Sequence, residues 1–193
     1  LSVTLPRAGN LGGGGFMMVH EAATGKTHAI DYREVAPATA TRGMFLDATG
    51  EYDRTKAVGS HLSTGVPGTV AGLAMALERF GTMSLAEVIK PALKLASEGI
   101  VVTRGLAESL TSRRKKKLAR WPASREVFLK PDGSTYDVGE IWVQTDLAWS
   151  LEQIAENGPS AFYSGEIAGR LVKEMAANGG LIEKKDLMGY RAI

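Results

Sequence analysis

The chain has 193 residues, of which 44% are hydrophobic and 23% charged, and its formal net charge is +2 at pH 7. This composition excludes a disordered polyelectrolyte, and no apolar run approaches the roughly 20 residues that cross a bilayer. The absence of cysteine excludes a disulfide framework, a thiolate zinc site and a cysteine nucleophile.

Residues 1–66 are predicted to hold strands and loops. An apolar stretch from Gly13 to His20 predicts a buried strand, and Lys26 to Arg33 predicts a second strand after a turn that contains Gly25. Two such strands with a short connection predict an antiparallel hairpin. Because an isolated hairpin is marginally stable in water, we expect it to pair with strands outside this sequence. Residues 34–66 are predicted to be irregular, since Gly and Pro recur along them.

From Pro67 onward, apolar residues recur at helical spacing. The pattern predicts five helices and a final short helical turn, at about residues 67–80, 84–98, 104–118, 147–157, 167–177 and 184–190. Pro67 is expected at the first position of the first helix, and Ser84 with Glu87 predicts a capping box at the start of the second. Pro91 predicts a kink within that second helix.

Positive charge is concentrated in one segment, residues 113–125, which we call the basic stretch. It holds seven Lys and Arg residues and no acidic residue. A solvated helix end explains such a run, since positive charge is favoured near a helix C-terminus. The alternative is a non-catalytic anion-binding module for nucleic acid or an anionic membrane surface. Nucleic-acid binding needs a basic face with stacking aromatics, and only Trp121 is near, so we expect no nucleic-acid partner.

Four consecutive glycines, Gly12–Gly15, precede the first predicted strand. Their backbone N–H groups could form an anion-binding nest, or the missing side chains could let another group approach the backbone closely. A third interpretation is a tight entry into a buried strand. A dinucleotide site is excluded, because Met17 stands where the fingerprint needs its third glycine and no helix follows.

The three histidines, His20, His28 and His61, do not predict a metal site. His20 and His28 flank the hairpin connection and are positioned to face each other. However, no carboxylate lies at a helical spacing from any of the three on a convincing helix, and ligand type alone is weak support. No Gly-x-Ser-x-Gly elbow of a serine hydrolase is present either. We therefore predict neither a metal nor a cofactor.

Arg33 stands at the end of the second predicted strand, within the stretch Asp31-Tyr32-Arg33-Glu34. A guanidinium at this place suits a carboxylate ligand, because it donates two parallel hydrogen bonds that Lys cannot offer. Spacing alone nevertheless favours a structural ion pair between Arg33 and a nearby acid.

Several stretches together resemble the large subunit of γ-glutamyltranspeptidases. In chain order they are residues 10–17 (NLGGGGFM), 31–38 (DYREVAPA), 43–47 (GMFLD), 60–62 (SHL), 65–72 (GVPGTVAG), 155–159 (AENGP), 178–182 (NGGLI) and 186–187 (DL). These motifs follow the family's order along nearly the whole chain, and the basic stretch carries none of them.

The resemblance implies an α+β fold that is part of the αββα sandwich of N-terminal-nucleophile hydrolases. Residues 1–66 would be the strand and loop part, and residues 67–193 the helical part, of one partial large-subunit domain. The family's precursor cuts itself into large and small subunits and is usually exported to the periplasm or outside the cell. A threonine exposed by the cut attacks the γ-glutamyl amide of glutathione and related compounds. Water, an amino acid or a peptide then resolves the γ-glutamyl-enzyme.

On this resemblance, Arg33 binds the α-carboxylate of the γ-glutamyl group, while Asp31 and Glu34 hold or shape Arg33. The nucleophile and the oxyanion donors are expected beyond Ile193, in the small subunit that is this chain's partner. No catalytic residue is therefore assigned here, and the 193-residue chain alone is expected to be inactive.

The nearest alternative function is a cephalosporin or glutaryl acylase of the same family, because a glutaryl group also ends in a carboxylate.

The chain starts at Leu1 rather than Met, and residues 190–193 look like the start of an extended segment. We therefore expect the sequence to be cut at both ends.

Overall fold

A computed structural model describes the backbone of residues 1–193 and the side chains of all except residues 112–114. The chain packs as two compact units: unit 1 comprises residues 1–9 and 88–152, and unit 2 comprises residues 10–87 and 153–193. The described residues form helices and two small antiparallel sheets, which confirms the α+β class. The division at residue 66 stays a prediction.

The predicted antiparallel hairpin is confirmed as β1 (Phe16–Glu21) and β2 (Lys26–Asp31). Phe16 pairs with Asp31 at the open end of the hairpin. At the closed end, Gly25 has a φ of +68°, a conformation that glycine adopts without strain. The first strand begins three residues later than predicted, and the second ends two residues earlier.

The prediction that β1 is buried was wrong. Its side chains alternate: Met17 and Val19 are half-buried, whereas Phe16 and Met18 are each 68% exposed. Successive side chains of a strand point to opposite faces, and the described residues cover only the hairpin face that carries the buried Ile30. A continuous apolar run indicates burial on both faces, so the sequence pattern overstated the burial within this chain.

Residues 34–66 are mostly irregular, as predicted, but include a short helix. α1 (Arg54–Gly59) begins after Asp53, whose carboxylate accepts hydrogen bonds from two N–H groups of the first turn. A 3₁₀ turn follows at His61–Ser63. None of the α1 side chains is buried, so no apolar periodicity marked the helix in the sequence.

α2 (Thr69–Phe80) is the first long helix, and it starts two residues later than predicted. The Tyr163 hydroxyl donates to the Pro67 carbonyl at 3.0 Å and accepts from the Ala71 N–H at 3.2 Å. These are the two backbone groups that would bond to each other if the helix began at Pro67. The inserted hydroxyl therefore keeps Pro67 outside α2.

α3 (Leu85–Glu98) is the second long helix, and its predicted capping box is confirmed. The Ser84 N–H donates to the Glu87 carboxylate at 2.7 Å, and the Glu87 N–H donates to the Ser84 hydroxyl at 3.3 Å. Pro91 lies inside the helix. The kink at Pro91 stays a prediction.

The single helix predicted over residues 104–118 was wrong. The structure has two helices there, α4 (Arg104–Ser109) and α5 (Ser112–Leu118). Between them the chain turns at Leu110, whose side chain is only 4% exposed. The break falls at Ser109 and Thr111, residue types that are weaker helix formers than Leu, and Thr111 has an extended ψ of 168° before α5 begins. Three elements had not been predicted: β3 (Ile100–Val101), α6 (Pro122–Phe128) and β4 (Ile141–Trp142), with β3 and β4 pairing antiparallel.

The remaining helices are α7 (Thr145–Asn157), α8 (Ser160–Tyr163), α9 (Glu166–Ala177) and α10 (Lys184–Gly189). Three of them were predicted, and α8, with four residues, was not. α7 ends before Gly158, whose φ of +67° terminates the helix as the sequence indicated. No helix in the described part of the chain has the length and apolar character of a membrane span.

Each unit has its own core. In unit 1, the Trp142 ring is fully buried, 5.6 Å from the Phe128 ring and 6.2 Å from the Tyr136 ring. Its Nε1 donates to the Val127 carbonyl at 3.0 Å. In unit 2, the largest fully buried side chains are Ile30, Leu187, Val66 and Pro67.

Candidate functional site

Arg33 lies two residues beyond β2, where the chain leaves the hairpin. Its side chain is 62% exposed, and its Nη1 lies 3.0 Å from the Glu34 Oε2. Exposed ion pairs contribute at most about 1 kcal/mol to stability, so this pair orients the guanidinium more than it stabilises the fold. A guanidinium carries five N–H donors, and the contact with Glu34 leaves donors for a second carboxylate.

The backbone on either side of Arg33 is held by paired hydrogen bonds. Tyr32 exchanges two backbone hydrogen bonds with Gly15, at 2.9 and 3.2 Å. Val35 exchanges two with Val66, at 2.8 and 3.3 Å. Arg33 therefore projects from a rigid segment, although it belongs to no strand.

Asp31 contacts Arg33 from the strand side. Its Oδ1 accepts a hydrogen bond from the Arg33 N–H at 2.9 Å. Its own backbone exchanges two hydrogen bonds with Ile193, at 2.7 and 2.8 Å. Both acids of the stretch, Asp31 and Glu34, thus hold Arg33 as predicted, and the last residues of the chain pair with β2.

The four glycines run alongside the Arg33 segment. A Cβ at Gly14 would lie 2.5 Å from the Tyr32 carbonyl oxygen and 2.8 Å from the Glu34 backbone nitrogen. The Gly13 carbonyl accepts from two N–H groups at the start of α2, at 2.8 and 2.9 Å. Close approach of a neighbouring backbone is thus the reason for glycine at Gly14. Entry into a buried strand was wrong, because β1 is half exposed, and the anion nest stays a prediction.

The glycine-containing motif at residues 65–72 brings α2 against the same segment. A Cβ at Gly72 would overlap the Tyr32 ring. A Cβ at Gly68 would overlap both the Tyr32 carbonyl oxygen and the Tyr190 hydroxyl. Packing around Arg33 therefore requires glycine at both Gly68 and Gly72.

Two stacked tyrosines support this packing, and sequence analysis had missed them. The Tyr163 and Tyr190 rings are nearly parallel, with an angle of 6° and centroids 5.7 Å apart. The Tyr190 hydroxyl donates to the Arg33 carbonyl at 2.9 Å. Since tertiary packing alone joins these distant positions, no spacing pattern could have indicated the pair.

Both phenols remain protonated over the neutral range. Burial raises the pKa of Tyr163 to about 12. Burial also raises the pKa of Tyr190, and the negative charges of Asp31 and Glu34 add to the shift. The two hydroxyls therefore act as hydrogen-bond donors.

α10 anchors the loop that follows Arg33. The Asp186 Oδ1 accepts from the Ala38 N–H at 3.0 Å, and the Asp186 Oδ2 accepts from the Glu183 N–H at 2.8 Å. The Thr39 hydroxyl donates to the Leu181 carbonyl at 3.4 Å. Motifs near residues 38 and 186, far apart in the sequence, thus meet beside the candidate site.

The histidines do not converge. His20 and His28 lie on opposite faces of the hairpin, because His28 pairs with Val19, the neighbour of His20. The expectation that these two face each other was therefore wrong. His61 lies elsewhere, 3.1 Å from the Glu174 carboxylate. Among the described side chains, no three His, Asp or Glu residues are grouped so that they could hold a metal ion.

The basic stretch belongs to unit 1 and contains none of the γ-glutamyltranspeptidase-like motifs. The side chains of Arg113 and Arg114 lie outside the described residues. Lys116 and Lys117 are exposed. The Arg120 guanidinium lies 5.2 Å from the Trp121 ring centre, so one face of this indole is already covered.

A family model described as Gamma-glutamyltranspeptidase matches residues 1–193. The glutathione hydrolase proenzyme of Escherichia coli (strain K12) is 50% identical over 193 residues, which are 100% of this chain and 33% of that protein. The acylase ACY 1 proenzyme of Pseudomonas sp. (strain V22) is 39% identical over 198 residues, covering 99% of this chain and 35% of that protein. The chain thus spans about a third of the length of these relatives.

Solved structures agree with the sequence comparisons. The crystal structure of Helicobacter pylori gamma-glutamyltranspeptidase matches with a TM-score of 0.97 and 40% identity, over 100% of this chain and 55% of that chain. This likeness confirms the expected fold, a portion of the N-terminal-nucleophile hydrolase architecture.

Proposed function

The chain belongs to the γ-glutamyltranspeptidase family, and on that premise we propose that it is part of an enzyme that cleaves γ-glutamyl amides such as glutathione. Residues 1–193 form part of one large-subunit domain, and the remainder of the precursor supplies the small subunit. A threonine exposed by self-cleavage attacks the γ-glutamyl carbonyl, and water, an amino acid or a peptide resolves the γ-glutamyl-enzyme. The enzyme acts in the periplasm or outside the cell.

Arg33 is this chain's contribution to the donor site. The observation that supports this role is an exposed guanidinium on a backbone held on both sides by paired hydrogen bonds. Every γ-glutamyl donor keeps its α-carboxylate, whatever group leaves from the γ end. A bidentate contact with that carboxylate places the acyl carbon opposite the nucleophile, which turns binding energy into positioning.

The contact with Glu34 is compatible with such a ligand. In the described contacts, Glu34 pairs with one guanidinium nitrogen of Arg33, Nη1. The donor's carboxylate is then bound by the remaining N–H groups, and each hydrogen bond to a charged group contributes about 1.5–3 kcal/mol. Glu34 and the donor carboxylate thus share Arg33.

Substitution of Arg33 in the full-length, self-processed enzyme tests this role. Arg33→Lys replaces two parallel hydrogen bonds with a point charge, so KM for a γ-glutamyl anilide is expected to rise at least about tenfold. Arg42→Lys, at another exposed arginine of unit 2, is the matched control and should leave KM unchanged. An unchanged KM in Arg33→Lys would remove Arg33 from the donor site.

A glutaryl acylase is the second candidate, because a relative at 39% identity carries an acylase name. A glutaryl group presents the same terminal carboxylate to Arg33 but lacks the α-amine. We expect full-length enzyme to show a higher kcat/KM for a γ-glutamyl amide than for the matching glutaryl amide. The reverse order would favour the acylase.

The proposal also places the nucleophile outside residues 1–193. This chain expressed without the rest of the precursor should release no p-nitroaniline from a γ-glutamyl anilide. Measurable turnover by the 193-residue chain would contradict that placement.

A further inference from the structure

The Arg33 carbonyl has a side-chain partner for which the proposed function gives no role. Tyr190 follows α10, is 6% exposed, and its hydroxyl donates to that carbonyl at 2.9 Å. The flanking residues Tyr32 and Val35 are held by backbone pairs instead. Among the described contacts, Tyr190 is thus the group that fixes the orientation of the peptide unit leaving Arg33.

The Tyr190 ring is itself held firmly. It stacks on Tyr163, whose hydroxyl bridges the Pro67 carbonyl and the Ala71 N–H at the start of α2. Because the supporting ring has two hydrogen bonds of its own, the stack cannot slide without breaking them. The Tyr190 hydroxyl is therefore a fixed point against which the Arg33 backbone is set.

We propose that Tyr190 is a positioning residue for Arg33: by holding the Arg33 carbonyl, it sets the direction in which the guanidinium leaves the backbone toward the donor's carboxylate. The inference rests on the proposed function of Arg33. A tilt of about 10° at the backbone moves the end of an arginine side chain by about 1 Å, which is enough to take a hydrogen bond with the donor's carboxylate beyond its normal length.

Tyr190→Phe in the full-length, self-processed enzyme removes the hydroxyl and keeps the stacked ring. We expect KM for a γ-glutamyl anilide to rise about 3- to 10-fold, the equivalent of one hydrogen bond, with kcat changed less than about twofold. Tyr136→Phe, which removes a hydroxyl from a tyrosine of unit 1, is the matched control and should leave both constants unchanged. An unchanged KM in Tyr190→Phe overturns the proposal.

A double substitution separates positioning from general damage to the fold. If Tyr190 acts through Arg33, adding Tyr190→Phe to Arg33→Ala should change KM less than about twofold beyond Arg33→Ala alone. The same 3- to 10-fold increase in both backgrounds would show an effect independent of Arg33 and overturn the inference. If Arg33→Ala alone left KM unchanged, the proposed function of Arg33 would fail instead, so the two failures are distinguishable.

A third measurement covers the case in which Tyr190→Phe fails to fold. Enzyme carrying 3,5-difluorotyrosine at position 190 keeps the ring and the hydroxyl but loses the phenolic proton at lower pH. The charged groups that act on this phenol are Asp31 and Glu34, its hydroxyl contacts the neutral Arg33 carbonyl, and the neutral Tyr163 ring stacks on it from α8. The KM ratio of substituted to natural enzyme should rise with pH as the donor is lost, and a flat ratio overturns the proposal.

Discussion

Unit 2 and unit 1 use their buried side chains for different purposes. In unit 2, glycines and two stacked tyrosines surround the backbone next to an exposed arginine, Arg33. In unit 1, aromatic rings surround a buried indole, Trp142, and Lys116, Lys117 and Arg120 of the basic stretch are exposed. All eight motifs of the family resemblance lie in unit 2. Recognisable sequence is thus concentrated in the unit where the backbone next to Arg33 must be placed accurately, although both units have a buried core.

This difference separates the expected effects of substitutions. Changes in the core of unit 1 should lower stability and leave donor binding alone. Changes around Arg33 in unit 2 should lower stability and also weaken donor binding. Each of the following substitutions is made in the full-length protein.

Trp142→Ala should lower the free energy of unfolding by about 3–5 kcal/mol, since it empties a fully buried site and removes the Nε1 hydrogen bond. Thermal and urea unfolding would measure the loss. Val138→Ala, at an exposed position of the same unit, is the control, with a change within about 0.5 kcal/mol. A large rise of KM in the folded Trp142→Ala enzyme would break the contrast between the units.

Gly72→Ala should destabilise the protein by about 1–3 kcal/mol, because the new methyl group overlaps the Tyr32 ring. Displacement of Tyr32 should also raise KM, since this residue adjoins Arg33. Gly169→Ala in α9 is the matched control, with nothing within 4 Å of its Cβ. It should stabilise the protein by about 0.4–1 kcal/mol. Equal effects at both glycines would contradict the packing described around Arg33.

Glu140→Gln tests a pH dependence in unit 1. The Asp137 N–H, donating at 2.6 Å, and Lys130, at 3.0 Å, lower the pKa of Glu140. A lowered pKa contributes stability that is present at neutral pH and is lost as the pH falls through that pKa. The variant should therefore be less stable than the natural protein at neutral pH, and the difference should vanish in acid.

Urea midpoints at neutral and acidic pH would measure this difference. Glu152→Gln, at an exposed position of unit 1, serves as the control. A constant difference between the Glu140→Gln and natural proteins at every pH would refute the assignment.

Replacement of Lys115, Lys116 and Lys117 by Gln should have the smallest effect, with KM for a γ-glutamyl anilide changed less than about twofold. These residues lie in unit 1, outside the contacts around Arg33. Salt-sensitive binding of DNA or anionic vesicles by the natural protein, abolished in this variant, would instead support the anion-binding module.

Periodicity predicted the elements that are long enough to show it. The hairpin follows from an apolar stretch and a turn that contains Gly25, the capping box of α3 from Ser84 and Glu87, and helices α7 and α9 from helical spacing and the glycines that end them. The elements that were missed are α1, α6, α8, β3 and β4. β3, β4 and α8 have two to four residues each, too few to display a period, and α1 and α6 have no buried side chain that would mark an apolar face. Residues 104–118 show a related error, because Ser109 and Thr111, which suit helix ends better than helix interiors, lie where α4 ends and α5 begins.

Arg33 could be singled out from the chain itself, since a guanidinium after a strand suits a carboxylate and the flanking motif carries the family resemblance. The sequence could not show that Tyr190 and Tyr163 stack beside Arg33, or that Gly72 leaves room for the Tyr32 ring. Their contacts join residues as far apart as 157 positions, as in the bond from Tyr190 to Arg33. Local patterns record what a residue does within its own strand or helix. Which distant hydroxyl meets which carbonyl depends on how the segments pack.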